Sequence, residues 1–315
     1  MTRGVKAYMG DLVPLFTLLA LTLFFSAATK GALLSAMNLN NILNQSIPPI
    51  IAGLGMMFVV AMGATDISTG VVVALASYFA CMAVTAAGFW AAFPAAILAG
   101  LCTGLLIGVI NTRFKVPSFM ITLSFVISVR ALVTLMLGIQ TLQIAKPLRD
   151  LFNGWAVRLS VLAGLVLIVV YVFNYTPLGM YAKAIGENEN AVKYTGINVS
   201  KVKIAAFAIS GVMAAIAGVF TAARVGGVST TLGTSFEMKV MMGLFIGGIP
   251  VSGGMGTKVS KLIAGCLMIT LLESGLVLLN VSGAITQGVR GLVLLAAVYF
   301  ARVVSLSIHN RAEAR

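Results

Sequence analysis

The sequence predicts an all-α, polytopic membrane protein of about ten transmembrane helices. Over 315 residues, 60% are hydrophobic and only 9% are charged, the mean hydropathy is +1.06, and the apolar residues fall in long runs between short polar stretches. A soluble domain carries about 25% charged residues, whereas a helix of roughly 20 apolar residues matches the ~30 Å hydrocarbon core of a bilayer. The runs exceed strand length and lack two-residue alternation, so helices and not a β-barrel are the spanning element.

Taken in order, the apolar runs place spans at 12–28, 47–62, 71–87, 91–110, 119–137, 157–173, 204–222, 240–249, 259–279 and 288–304. The first run follows Arg3 and Lys6 and ends at "SAAT", a pattern shared with secretory signals. It is longer than the usual signal core of about 7 to 15 residues and reads as a retained span. The eighth run is short enough to be re-entrant instead of spanning.

Charge arbitrates the topology. With ten crossings and both termini cytoplasmic, 13 of the 21 Lys and Arg residues lie on the inner side and six on the outer side, with Arg130 and Arg290 inside spans. If the eighth run did not cross, the division would become eight inside and 11 outside. The positive-inside rule favours the first arrangement. It also accounts for the net charge of +13 without a polyanion partner, and the clustered basic and aromatic surface that nucleic-acid binding requires is absent.

Enzymatic chemistry is excluded on similar grounds. The single histidine, His309, lies in the polar tail, and Cys81, Cys102 and Cys266 each sit in an apolar run, where they read as packing residues. They form neither a metal-ligand nor a disulfide framework. No nucleophile stands beside a base, and no carboxylates pair at short helical spacing. "GGMGTK" at 253–258 lacks the Gly-Lys-Ser/Thr ending of a phosphate loop. If ATP drives this protein, another chain binds it.

Two glycine-rich stretches stand out, "GATDISTG" at 63–70 and "GGIPVSGGMG" at 247–256. They share a skeleton of Gly, three residues, Ile or Val, Ser, one residue, Gly, which fits either an internal duplication of the kind found in transporters or coincidence in a chain of 33 glycines. The longest stretch outside the spans, 174–203, is too short for an independent domain. From Gly179 it places Tyr181, Ala184 and Ile185 at helical intervals, with Gly186 and Gly196 as stops. It reads as a short amphipathic helix projecting from the membrane, or as a solvated loop.

These residues carry a resemblance. Thr176, Gly179, Ala184, Ile185, Gly186, Asn188, Ala191, Gly196, Ile197, Asn198 and Val199 follow the coupling-loop pattern of the ribose-, xylose- and galactose-type permeases of ABC importers. Met180 stands where that family has arginine, so no ionic contact is carried over there. "NLNNILNQS" (38–46), "MGATDISTG" (62–70), "NTRFKVPSFMITLSFVISVRAL" (111–132), "EMKVMMGLFIGGIPVSGGMGT" (237–257) and "GVRGLVLLAAV" (288–298) resemble further family segments in the same order.

The resemblance implies one transmembrane permease domain over 1–315, with the ABC importer permease fold and 174–203 as its cytoplasmic coupling loop. It implies an inner-membrane subunit, multi-pass in the lipid bilayer, that translocates a small neutral polar solute, in the first place a monosaccharide. The expected partners are a second permease subunit in a homo- or heterodimer, a cytosolic ABC ATPase that binds ATP and Mg, and a periplasmic or extracellular substrate-binding protein. The chain itself is expected to hold no cofactor and no metal. Other readings are an ABC permease for a nucleoside or another small polar metabolite, an ion-coupled secondary transporter, and a membrane scaffold without transport.

Candidate site residues follow. Tyr181, Ala184, Ile185, Gly186, Asn188, Ala191 and Gly196 are expected to couple to the ATPase. Asp66 and Ser68 either face the substrate pathway or cap the following span. Glu273 lies near the pathway or pairs with Arg290, Arg130 snorkels or stabilises the fold, and Asn280 and Gln287 lie near the outer mouth. Glu237 and Lys239 either contact the rim of a binding protein or serve the start of their helix.

Overall fold

The computed structural model describes the backbone of residues 3–313 and the side chains of residues 14–297 and of Tyr299. The side chains of Arg3, Lys6, Arg302, Arg311 and Arg315, which enter the charge count, and that of His309 lie outside those described. The elements in order are α1 (Arg3–Ala28), α2 (Ala36–Ala61), α3 (Thr69–Ala87), α4 (Ala92–Phe114), α5 (Ser118–Leu137), β1 (Leu142–Gln143), α6 (Lys146–Asn153), α7 (Trp155–Tyr175), α8 (Pro177–Tyr194), α9 (Val199–Val225), β2 (Gly227–Val228), α10 (Phe236–Ile246), α11 (Val259–Leu278) and α12 (Gly283–Glu313). Among the described residues the regular structure is helical apart from one two-residue antiparallel pair, Leu142 with Val228 and Gln143 with Gly227.

Seven of the described helices are long and apolar enough to cross a membrane: those at Ala36–Ala61, Thr69–Ala87, Phe89–Phe114, Ser118–Leu137, Trp155–Tyr175, Val199–Val225 and Val259–Leu278. They correspond to seven of the ten expected spans. The expected first and last spans fall within α1 and α12, whose described apolar parts are shorter. The eighth falls on α10, which has 11 residues and is therefore about 16 Å long, half the thickness of a bilayer core.

The chain forms two compact units. One comprises residues 47–238 and 252–257, and the other comprises residues 1–46, 239–251 and 258–315. In the first, α2 and α9 are central: 83% and 78% of their most apolar windows are buried, against 17% for α7. The remaining α7 surface is apolar, with Leu167, Ile168 and Tyr171 exposed, as a lipid-facing helix requires.

Close packing of α9 rests on small residues. A Cβ at Gly104 of α4 would fall on the Phe207 carbonyl oxygen, one at Gly108 would lie 2.8 Å from the Ile204 Cα, and one at Gly211 would fall on the Gly100 carbonyl oxygen. The spacing Gly100, Gly104, Gly108 keeps one glycine face toward α9, the small-residue route by which membrane helices let their backbones approach. Gly55 of α2 meets α9 at Ser210 and Met213, and Gly218 of α9 meets α3 at Val73.

Basic side chains secure the polar segments of this unit. Arg130 of α5 donates from Nη1 to the carbonyls of Thr230 and Leu232 at 3.0 and 2.7 Å. Arg158 at the start of α7 donates to the Phe152 carbonyl at 2.6 Å and to Asn153 Oδ1. Arg130 therefore stabilises the fold by holding the segment between β2 and α10.

In the second unit α1 packs on α11, and Phe25 occupies the space where Gly275 has no side chain. Phe25, Leu33, Ile42, Met242, Ile269, Leu271 and Leu272 form its core. Helices α10 and α11 approach through Gly243, Gly247 and Gly265, where a Cβ at Gly265 would fall on the Gly243 carbonyl oxygen and one at Gly247 on that of Lys261. Cys266 is buried against Gly243 and Cys81 is buried in α3, as packing residues. Cys102 departs from that expectation and is exposed on α4, because α4 turns its glycines and not this residue toward α9.

Candidate functional site

The two glycine-rich stretches begin in the same way. Gly63 (φ 72°) donates to the Val60 carbonyl and Ala64 to that of Val59, and Gly248 (φ 83°) donates to Phe245 while Ile249 donates to Leu244. Each pair is a Schellman cap, which needs a left-handed residue and so favours glycine. The first stretch then turns directly into α3. The second continues through Gly253 and Gly254, with φ of 78° and 89°, before α11.

Within the first unit the two stretches meet. A Cβ at Gly63 would lie 2.9 Å from the Ser252 carbonyl oxygen, and a Cβ at Gly253 would lie 2.5 Å from the carbonyl oxygens of Val60 and Ala61. Gly254 N donates to the Ala61 carbonyl at 2.9 Å, satisfying one of the carbonyls left open at the end of α2.

Helix α8 joins this junction. Gly186 lies so close that a Cβ there would fall on the Ala61 carbonyl oxygen and 2.6 Å from Gly254 N. Glu187 Oε1 accepts from Met255 N at 2.9 Å. Three backbones, the end of α2, the turn at 253–255 and α8, are therefore fastened together at Gly186 and Glu187.

Gly186 is consequently not a helix stop, as its sequence context suggested. The break comes at Asn188, which has φ −161° and ψ 99° and whose Oδ1 accepts from Ala191 N at 3.0 Å, capping a new helical turn. Gly196 does follow the helix end, with φ 80°. The break divides α8 into a packed first part, where Ala182 and Ile185 are buried and Tyr181 and Ala184 are half-buried, and a projecting second part, where Asn188, Ala191 and Gly196 are exposed and Tyr194 is 92% exposed.

Charges hold both parts in place. Lys183 is buried, and its Nζ donates to the Phe173 carbonyl at 3.0 Å and to Asn174 Oδ1 at 3.1 Å while lying 4.1 Å from the centre of the Phe173 ring. A cation there opposes the negative end of the α7 dipole, and burial lowers its pKa from the ordinary lysine value. On the projecting part, Glu189 pairs with Lys193 at 2.8 Å and with Lys203 of α9 at 2.9 Å. Partial burial raises the Glu189 pKa, but the hydrogen bonds and charges of Lys193 and Lys203 outweigh it and hold the carboxyl below its usual value.

Comparison with known proteins fits a multi-pass membrane protein. The family described as "Branched-chain amino acid transport system / permease component" matches residues 38–298. The chain belongs to this family of transport permeases. It is 32% identical over 278 residues to the ribose import permease protein of Haemophilus influenzae, covering 83% of this chain and 84% of that one. It is 28% identical to the xylose transport system permease protein of the same organism, covering 91% and 94%, and 29% identical to the autoinducer 2 import system permease protein of Yersinia pseudotuberculosis, covering 89% and 83%. No solved structure matches the chain.

The permease carries two further polar clusters. Asp66 is buried between α2 and α3; its Oδ1 accepts from Ser68 N at 3.0 Å and Ser68 Oγ at 2.5 Å, and its Oδ2 accepts from Ser210 Oγ of α9 at 2.7 Å. Ser68 occupies the N-cap position of α3 without a side-chain cap bond, so Asp66 shapes the approach to the helix and ties it to α9. Burial raises its pKa against the opposing effect of these three bonds.

In the second unit Glu273 of α11 is buried between two cations. Lys239 Nζ lies 2.7 Å from its Oε2 and Arg290 Nε lies 3.1 Å from its Oε1. The pairing with Arg290 was one of the two roles expected for Glu273, and Lys239 is an additional partner. Nearby in the same unit, Ser274 Oγ donates to Asn38 Oδ1 at 2.8 Å, and Asn38 Nδ2 donates to the Leu33 carbonyl at 2.8 Å. Glu237 is half-buried in the other unit beside Gly70, where a Cβ would strike its carboxylate. Asn280, with φ 57°, and Gln287 are exposed, at the turn after α11 and on α12.

Proposed function

We propose that this permease is the membrane subunit of an ATP-driven importer for a monosaccharide or a closely related small neutral polar solute, with both termini cytoplasmic. The observation that carries the reading is α8: a helix broken at Asn188, with one part packed into the chain and the other largely exposed around the buried Val192, in a chain whose similarity to ribose and xylose import permeases covers 83% and 91% of its length. A projecting helix fastened to the ends of other helices is a means of receiving movement from another protein. The segment 182–196 is the coupling segment, and Asn188, Ala191, Tyr194 and Gly196 form its outward part.

The fold is read as ten crossings of the inner membrane. The eighth is made by α10 with the glycine-rich stretch after it, since irregular backbone is tolerated at membrane depth where protein covers it. ATP and Mg belong to a partner ATPase and not to this chain. A second permease subunit completes the pathway, and a periplasmic or extracellular binding protein delivers the solute, with Glu237 and Lys239 at the start of α10 on the receiving side. Asp66, Ser68, Glu273, Asn280 and Gln287 supply polar groups toward the pathway, Asp66 and Glu273 through the networks that hold them.

The test is gentle extraction of a tagged chain from its native membrane, followed by mass spectrometry of the intact complex. Two ATPase domains and a binding protein recovered with two permease subunits are the expected composition. Recovery of the chain alone or only with itself, under extraction that preserves a control ABC complex, would instead support an ion-coupled carrier or a membrane scaffold, neither of which needs an ATPase.

A further inference from the structure

The junction between α8 and the glycine-rich turn assigns a task to Glu187. This residue sits at the last position before the break at Asn188, so it belongs to the packed part of α8 but adjoins the projecting part. Its Oε1 accepts from Met255 N at 2.9 Å. The carboxylate also fills the space above Gly254, where a Cβ would collide with it. Gly254 in turn donates from its N to the Ala61 carbonyl at 2.9 Å.

A continuous set of contacts therefore runs from α8 through one side chain to the backbone of the turn, and through that backbone to the end of α2. The partner segment suits this purpose. Gly253 and Gly254 hold left-handed φ values of 78° and 89°, which other residues adopt only with strain, so the turn is fixed in shape. The chain continues from this turn into α11 at Val259. Gly186 brings the backbone of α8 to the same point, but it cannot take hold of Met255, because it has no side chain.

We infer that Glu187 is a positioning residue that latches the coupling helix to the turn at 253–255, so that displacement of the projecting part of α8 moves the end of α2 and the segment leading to α11. The inference rests on the importer reading above. It predicts that loss of the latch leaves the complex assembled and hydrolysing ATP but no longer converting hydrolysis into transport. An exposed glutamate whose task was an ionic contact with the ATPase would behave differently: its neutral amide variant would fail too.

The experiment uses the complete complex in proteoliposomes, with solute uptake, basal ATPase rate and the stimulation of that rate by loaded binding protein read on the same sample. Wild type is measured first, and absence of ATP-driven uptake there overturns the importer reading and the latch together. Glu187→Ala is expected to co-purify with its partners, keep basal ATPase activity within about twofold, and lose at least tenfold in uptake together with the stimulation. Glu187→Gln, whose amide oxygen still accepts from Met255 N, is expected to retain most of both.

Gly254→Ala, which places a methyl group on the Glu187 carboxylate and also strains the left-handed turn, is expected to reproduce the alanine phenotype, and Glu187→Leu, which cannot accept from Met255 N, carries the same test if Glu187→Ala does not fold. Normal uptake and stimulation in both Glu187→Ala and Gly254→Ala would overturn the latch while leaving the importer reading intact. Loss of the ATPase subunit from Glu187→Ala and Glu187→Gln alike would overturn it in favour of a partner contact.

Discussion

Replacing Glu273 by glutamine removes the negative charge that faces Lys239 and Arg290, at 2.7 and 3.1 Å from its two oxygens, in a buried cluster. At an effective dielectric constant of about 20, each contact has a gross Coulomb energy of roughly 5 to 6 kcal/mol. Most of this is offset by desolvation of the carboxylate and the cations, and breaking one partner out of a buried pair typically costs about 3 to 5 kcal/mol, because an uncompensated charge remains. Here two cations remain.

We expect Glu273→Gln to lose about 3 kcal/mol. At ~2 to 4 °C per kcal/mol this lowers the melting temperature of the detergent-purified protein by roughly 6 to 12 °C. The double variant K239M/E273Q also removes one of the two stranded cations and should recover part of the loss. A melting temperature within about 2 °C of wild type for Glu273→Gln, or a double variant no better than the single change, would refute the structural role of the cluster and leave Glu273 to the pathway alone.

Three further expectations concern the other unit. Asp66→Asn keeps acceptors and a donor in the positions that bond Ser68 and Ser210, so it should fold normally, whereas Asp66→Ala leaves buried partners unpaired at about 1 to 3 kcal/mol each and should melt markedly lower. Normal uptake by Asp66→Asn would mean that the carboxylate charge takes no part in translocation. Gly104→Ala, which pushes a methyl group onto the Phe207 carbonyl, should cost about 1 to 3 kcal/mol in melting experiments, while Gly164→Ala on α7, with open space around it, should be neutral or slightly stabilising.

Lys183 makes a pH prediction. Its pKa in the folded protein lies below the unfolded value, so the unfolded chain binds more protons between the two, and stability should rise with pH across that window, up to about 10.5. Comparing melting temperatures of wild type and Lys183→Met through the alkaline range tests this: the rise should be absent from the variant, and equal slopes would contradict it.

Much of the frame was legible because hydropathy and helix length act locally. Runs such as 119–137 and 259–279 lie within a residue or two of α5 and α11, and short-range spacing pointed to a helix, or alternatively a solvated loop, where α8 forms. What escaped was set by distant partners. Gly186 looked like a stop, but its role comes from the Ala61 carbonyl, over a hundred residues away. In the sequence Lys183 is one more inner-side charge, and only the fold of α7 and α8 brings it to Phe173.

Asp66 was legible as a buried polar group at a helix start, though not its bond to Ser210. Lys239 was legible as a residue at the start of a helix or facing a binding protein, but nothing in its neighbourhood shows its pairing with Glu273. The spacing Gly100, Gly104, Gly108 is a local signal of close helix approach, and it is the face on which α4 meets α9.

The most direct test of the importer account is solute uptake into proteoliposomes containing the permease with its ATPase and binding protein. Labelled ribose and xylose would be offered with ATP inside or outside the vesicles and with no ion gradient. The account predicts accumulation of one such sugar only when ATP reaches the ATPase face and the binding protein is on the opposite side. Accumulation that follows an imposed ion gradient and proceeds without ATP or the ATPase would contradict it.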